Sequence, residues 1–420
     1  MKRVVVTGLG AVTPVGNDVD AMWGNLVAGH HGFGAITRFD TEGFKAKIAA
    51  EVKGFDPLEY MEKGEARRLD LYSQYAIAAS AQAMRDSGIE GTVEPERFDV
   101  CFGSGIGGII TFENEVEKLI GGGPRKVSAL FIPMMISNLA AGNIAIRFGA
   151  KGSCTSVVTA CASGTDSIGH AFRAIKHGYA DAAIAGGSEA AVTRMSVAGF
   201  SNMTALTTSS DPDAASLPFD KRRGGFVLGE GSAAMILEEY ERAVKRGAKI
   251  YAEVTGYGAT CDAHHITAPS PDGSSSARAL ADAFREAGSP GGLVYINAHG
   301  TGTPLNDVAE TKAIKSAFGG DTGNLAVSST KSMMGHMLGA AGAAEAVISV
   351  KAIFEGVLPP TIGLHEPDPE CDLDYIPLTA RKASPVLAMS VSLGFGGHNA
   401  CVAFAHVSNL RTNGANKKTR

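Results

Sequence analysis

Short aliphatic and β-branched runs alternate along this chain with Ala-rich amphipathic stretches. An apolar run at 4–7 precedes a helical pattern at 18–28, one at 100–103 precedes 111–120, one at 155–159 precedes 163–177, and another begins at 182–185. Such alternation predicts an α/β fold. Within 164–177, Ile168, Ala171, Phe172 and Ile175 keep one helical face, and Gly178 follows as a stop signal, so Cys161 falls just before a helix. A second series reads as a strand at 251–256, a helix at 274–287, a strand at 293–297 and an Ala-rich helix at 339–354 closed by Gly356. Each half thus carries a long small-residue helix ending in Gly, AIKHG at 174–178 and AIFEG at 352–356. That repetition suggests an internal duplication, with halves at 1–249 and 250–407 and a polar, mobile tail at 408–420.

Composition narrows the class. In 420 residues, 38 Lys+Arg stand against 43 Asp+Glu for a formal charge of −5, and 45% of residues are hydrophobic, as in a soluble globular protein. No basic block is long enough to follow a phosphate backbone, which argues against nucleic acid as the main ligand. The six Cys (101, 154, 161, 261, 371 and 401) lie far apart with no CxxC pair, which argues against a disulfide framework or a zinc knuckle. Reduced thiols in a cytoplasm are expected. The strand-like 3–6 follows Met1 almost directly, leaving no room for a signal sequence. The uncharged run 127–146 has spanning length, but Ser128, Pro133, Ser137, Asn138, Gly142 and Asn143 interrupt it, so buried soluble structure is expected. Fifty-three glycines, clustered at 103–108, 185–190, 225–231, 299–304 and 394–397, imply many close backbone approaches.

Two Gly-rich runs resemble phosphate-binding loops and fail as such. GSGIGG at 103–108 follows a strand, yet the acidic residue expected about 20 positions on is replaced by Gly-Pro-Arg-Lys at 123–126. In GLGAVTP at 8–14, Thr13 replaces the third Gly and Pro14 obstructs a helix. Cys161 is more informative. VVTACASG at 157–164 puts it between an apolar strand and a helix start, where a thiol meets the positive end of the helix dipole and free backbone N–H groups. A lowered thiol pKa is expected there. The alternative is a buried core Cys, the reading that fits Cys101, Cys154 and Cys401.

Of eleven His, two sit in distinctive settings. His299 ends an apolar strand in NAHGTGTP (297–304), and His336 lies between Lys331 and an Ala-rich helix in STKSMMGHMLGAAG (329–342). One Cys and two His at such turns suggest a site at the carboxyl edge of a sheet. Two neutral imidazoles suit hydrogen-bond donation to one developing negative oxygen, which implies carbanion or enolate chemistry, whereas a Cys hydrolase would keep one His oriented by Asn or Asp.

With TACASG at 159–164, PFD at 218–220, GFVLGEG at 225–231, NAHGTGTP, STKSMMGHMLGAAG and GFGG at 394–397, residues 1–405 resemble the β-ketoacyl-[acyl-carrier-protein] synthases of the KAS I/II type, and KAS II among them. The resemblance implies a thiolase-like fold of two duplicated halves, layered α-β-α-β-α, in a cytoplasmic homodimer. It implies Cys161 as acyl-accepting nucleophile, His299 and His336 as enolate stabilisers, Lys331 as the group that orders and polarises them, and Glu310 as the charge partner of Lys331. Backbone N–H groups of Cys161 and Phe395 would form an oxyanion hole, with Phe395 gating entry. Thr301, Thr303 and Thr267 would hold substrate, and Ile106 and Phe131 would line the acyl tunnel. Lys63, Arg67 and Arg68, at helical spacing, would dock acyl carrier protein; the bland reading is a solvated helix face. No cofactor is implied beyond the phosphopantetheine carried by that partner. Asn297, Glu345 and Ser390 match positions that hold a monovalent cation in some relatives, against the alternative of a buried polar network. Leu393, His398, Gly224 and Thr204 depart from the family pattern. The implied reaction is decarboxylative condensation of malonyl-ACP with a Cys-bound acyl chain in fatty-acid elongation. A polyketide-type ketosynthase, a Cys-His hydrolase and a carrier-binding scaffold are the alternatives.

Overall fold

The computed structural model describes residues 1–407; the tail expected to be mobile, 408–420, lies outside the described residues. In the first half, strand β1 (Val4–Val12) is followed by helix α1 (Leu71–Ser87), β2 (Phe98–Gly103), β3 (Cys154–Thr155), α2 (Ser163–Lys176), β4 (Ala182–Glu189) and β5 (Gly231–Glu239). In the second half, β6 (Ala252–Cys261) is followed by α3 (Ser274–Glu286), β7 (Val294–Asn297), α4 (Pro304–Ala317), β8 (Leu325–Ser328), α5 (Ala341–Glu355), β9 (Leu387–Gly394) and β10 (His398–Ala405).

The strands run in the order β8-β7-β9-β10-β6-β1-β5-β4-β2-β3. Each half supplies five of them with the same pattern. β1 pairs antiparallel with β5, β5 antiparallel with β4, and β4 parallel with β2, which is parallel to β3. β6, β10, β9, β7 and β8 repeat that pattern in that order. The halves join where β1 pairs with β6. Helix α1 covers β1 and β5, α3 covers β6 and β10 with α4 packed on it, and α2 and α5 lie against each other between the two five-strand sets. The layers therefore run α-β-α-β-α.

Glycine placement repeats with the strands. A Cβ at Gly8 or Gly10 would stand 2.2 Å from Ala83 O or 1.9 Å from Ala79 O of α1, and one at Gly256 or Gly258 would stand 2.1 Å from Ala283 O or 2.0 Å from Ala279 O of α3. In both halves, then, an Ala-rich helix rests directly on a strand that must be bare at two positions. The middle layer explains why α5 lacks a polar face: every residue from Ala341 to Ile353 is buried. Gly356, at φ 66°, closes it, and Gly178, at φ 83°, follows α2.

The expected strand at 155–159 is mostly absent. Only Cys154–Thr155 pairs, at the sheet edge, and 156–159 leaves the sheet to enter the turn that carries Cys161. β-Branched propensity yields there to tertiary demands. Among the described residues no helix is long and apolar enough to cross a membrane.

Candidate active site

Cys161 lies in a single 3-10 turn, Ala160–Ala162, that runs directly into α2. Ala160 adopts φ 50°, a left-handed conformation uncommon for a residue with a Cβ, and side chains clamp the turn. Ser163 Oγ donates to Ala160 O at 2.7 Å and accepts from Thr159 N–H at 3.0 Å. Thr159 Oγ1 and Tyr257 Oη each donate to Asp166 at 2.6 Å, tying the turn to β6 of the other half. Gly394 is bare because a Cβ there would meet Thr159 O at 2.6 Å and Cys161 N at 3.3 Å. The backbone N–H groups of Phe395 and of Cys161 itself face the sulfur.

The expected lowering of the Cys161 pKa is overturned. The side chain is buried, and burial pushes the thiol up to about 12; Lys331 and the two N–H groups pull down and Glu189 pushes up. Loss of hydration outweighs the helix terminus at this position.

His336 Nε2 stands 3.0 Å from Cys161 Sγ. The backbone of 225–231 holds this His: His336 N–H donates to Val227 O at 2.8 Å and Gly229 N–H to His336 O at 2.9 Å. The edge-on Phe226 ring lies 5.1 Å away. His299, two residues past β7, has its ring centre 5.2 Å from that of His336, at 86° to it. Burial and then Lys331 push both imidazoles well below the ordinary 6.5, with His336 adding to the effect on His299. Both rings are therefore neutral near pH 7, and each Nδ1 is buried without a partner among the described residues.

Glu310, expected to pair with Lys331, does something else. Its two oxygens accept the N–H of His299 at 2.6 Å and of Gly300 at 2.8 Å, so it fixes the backbone of the His299 turn from α4. Lys331 instead forms its ion pair with Glu345 of α5, both side chains being 1% exposed. The two oxygens of Glu310 are taken up by orphan N–H groups at a strand end, whereas Glu345 has an oxygen free for the ammonium. Of the residues matched to a monovalent-cation position, Asn297 exchanges hydrogen bonds with Thr330 at 3.3 Å and 3.4 Å. Ser390 Oγ and Glu345 Oε2 are buried without partners among the described residues.

Family models for the beta-ketoacyl synthase N-terminal and C-terminal domains match residues 1–243 and 251–365. The chain belongs to the beta-ketoacyl synthase family. It is 51% identical over 406 residues to a 3-oxoacyl-[acyl-carrier-protein] synthase 2 of Synechocystis, covering 96% of this chain and 98% of that one. It is 49% identical over 405 residues to the protein of the same name from Staphylococcus aureus, with the same coverage. Among solved structures it superposes on a beta-ketoacyl synthase from Burkholderia phymatum with TM-score 0.90 at 34% identity, covering 97% of this chain and 100% of that one. It also superposes on a type II polyketide ketosynthase in complex with its acyl-carrier protein, with TM-score 0.89 at 34% identity, covering 97% of this chain and 99% of that one. The layered architecture is the thiolase-like fold of ketoacyl synthases.

The other residues singled out in this ketoacyl synthase fall around that centre or away from it. Thr301 is buried and its Oγ1 lies 3.0 Å from that of the half-buried Thr303, on the turn into α4. Thr267 sits in a loop beside the glycine turn, where Gly396 N–H donates to Ile266 O at 2.8 Å. Phe395 is half-buried, its ring 6.4 Å from Phe200. Ile106, 36% exposed, lies on the loop after β2. Phe131 begins the short helix Phe131–Met135 and contacts Phe112 with ring centres 6.3 Å apart. Lys63, Arg67 and Arg68 are exposed on one short turn outside the site and form no ion pair among the described residues; the helix there, Lys63–Ala66, ends before either Arg. Of the departures, Gly224 borders open space, Thr204 is exposed at φ 56°, Leu393 packs on the core, and His398 pairs with Gly394 to close the β9–β10 turn. Sequence reasoning missed Glu189 and Phe226. Their signal was present, because each lies in a Gly cluster at 185–190 or 225–231.

Proposed function

We propose that this chain is a condensing enzyme of fatty-acid elongation that joins a Cys161-bound acyl chain to the two-carbon unit of malonyl-ACP. The observation that carries the reading is one buried thiol 3.0 Å from a neutral imidazole, with a second neutral imidazole beside it. Cys161 Sγ attacks the acyl-ACP thioester carbonyl, the thiol proton leaves with the departing carrier sulfur, and the N–H groups of Cys161 and Phe395 hold the oxyanion. Each such donor is worth on the order of 10²–10³ in rate. Malonyl-ACP then loses CO2. The enolate oxygen is held by N–H donation from His299 and His336, and the carbanion attacks the Cys161 thioester, expelling a thiolate that takes up one proton from solvent to restore the thiol. Lys331 adds positive potential, Thr301, Thr303 and Thr267 hold the substrate arm, and Phe395 gates its entry. The steps need no redox cofactor and no metal.

Elongation is favoured over the polyketide alternative because the relatives at 49–51% identity are named 3-oxoacyl-[acyl-carrier-protein] synthase 2, while the polyketide-type neighbour stands at 34%. Acyl carrier protein is the partner, docking on Lys63, Arg67 and Arg68. We read the protein as cytoplasmic and as a homodimer: Phe112, Leu130, Ile132, Ile146 and Val158 are exposed apolar side chains, Phe131 packs on Phe112, and the helix 139–148 that carries Ile146 packs on the edge strand β3. A solution mass about twice 43.3 kDa fits; 43.3 kDa contradicts it. Cys161→Gln, which cannot be acylated, keeps releasing CO2 from malonyl-ACP if the His pair does the decarboxylation. Loss of that release together with condensation would sink the division of roles.

A further inference from the structure

Glu189, the last residue of β4, is fully buried. Its Oε1 accepts from Ser104 Oγ at 3.0 Å, Ile106 N–H at 3.1 Å and Gly107 N–H at 3.3 Å. Its Oε2 accepts from Gly105 N–H at 2.7 Å and Gly339 N–H at 3.0 Å. Five donors and no acceptor favour the ionised carboxylate, against burial, which raises its pKa. Four of them belong to the loop that carries Ile106; the fifth follows His336 by three residues, next to Leu338 at φ 48°. The contact is tight. A Cβ on Gly339 would lie 2.3 Å from Gly105 N, one on Gly187 would lie 2.4 Å from Gly339 O, and one on Gly105 would lie 3.4 Å from Ala160 O, beside the nucleophile.

We propose that Glu189 is a positioning residue that locks the Ile106 loop to the His336–Gly339 turn, so that the tunnel wall which the family resemblance assigns to Ile106 and the placement of His336 against Cys161 are set together. An acyl chain that displaces Ile106 pulls, through this carboxylate, on the segment carrying His336. Primer length is therefore read out in the condensation rate and not in binding alone. The inference deepens the proposed function and rests on it. It also has an electrostatic side: His336 Nε2 stands against the Cys161 sulfur, and of the charges that act on the thiol Lys331 lowers its pKa and Glu189 raises it.

The test compares wild type, Glu189→Gln, Glu189→Asp and Ser104→Ala, each checked for folding by circular dichroism. Gln keeps the shape but turns an NH2 group against backbone donors, and Asp keeps the charge but is one methylene too short to reach both segments. Both are expected to lower kcat for condensation on the order of 10²-fold, the cost of about 1 Å of misplacement. Both should change the kcat/KM ratio between medium and long acyl-ACP primers by about tenfold. Iodoacetamide alkylation of Cys161 should move to lower pH in Gln alone, because only that variant loses the charge. A folded Gln variant with wild-type kcat, primer profile and alkylation profile overturns the proposal. If Gln and Asp do not fold, Ser104→Ala decides, since it removes one tie on the Ile106 loop: a changed primer profile with unchanged alkylation supports the proposal, and an unchanged profile overturns it. Wild type that makes no condensed product removes the proposed function instead, and the alkylation profiles still report on Glu189.

Discussion

Glu310→Gln should make the protein less active and, above neutral pH, relatively more stable. Burial pushes the Glu310 carboxyl from the ordinary 4.5 up to about 7, against the pull of the Gly300 and His299 N–H groups. Because the folded state holds this proton more tightly than the unfolded chain, its contribution to stability is present below pH 4.5 and is lost as pH rises through 7. The separation between 4.5 and about 7 corresponds to roughly 3 kcal/mol. Gln carries no such titration. It gives up one acceptor for the N–H of His299 or Gly300, a pH-independent cost of about 1–3 kcal/mol. Urea unfolding of both proteins at pH 5 and pH 8 should therefore show the variant gaining roughly 2.5 kcal/mol on wild type across that interval, since part of the titration already lies below pH 5. Condensation at pH 8 should fall on the order of 10²-fold, because the backbone of His299 is no longer pinned. A stability difference independent of pH would refute the assignment of a buried, ionisable Glu310, and an unchanged kcat would refute its hold on His299.

Lys331→Met should destabilise the fold by about 3–5 kcal/mol, since Glu345 is left buried without its cation. Burial already pushes the Glu345 carboxyl up to about 7, so the loss should be smaller at pH 6, where it can take a proton, than at pH 8; equal losses would argue against the pairing. Reversing Arg67 and Arg68 to Glu should raise KM for carrier-bound substrate far more than it lowers kcat, and should flatten the dependence of KM on salt. Unchanged KM would return that turn to an ordinary solvated surface.

Much of the site was legible because its chemistry sits in contiguous motifs. Cys161, His299 and His336 each stand in a short segment whose Gly and small residues announce a tight turn at an element boundary. What joins the segments was not legible. Glu310 and Glu345 are both Glu on Ala-containing helices, and nothing local says that one spends its oxygens on backbone N–H groups while the other meets Lys331 across layers. The fold shows the same division. Gly8 and Gly10 and their counterparts Gly256 and Gly258 were visible, yet their meaning requires the helices that rest on them. Helix α1 escaped notice because YAIAASAQA is packed on most sides and keeps no clean polar stripe. The run at 155–159 read as a strand on propensity, but its backbone is needed to build the turn that presents Cys161. The thiol pKa failed for a related reason: a helix start can be read from sequence, and burial cannot.

The most direct test of the account is the intact mass of the protein after mixing with acyl-ACPs of several lengths, followed by malonyl-ACP with capture of CO2. The account predicts one acyl adduct, absent in Cys161→Ala, that is consumed on adding malonyl-ACP to give CO2 and a 3-oxoacyl-ACP two carbons longer. No adduct at any chain length, or an adduct discharged only to water, would contradict it.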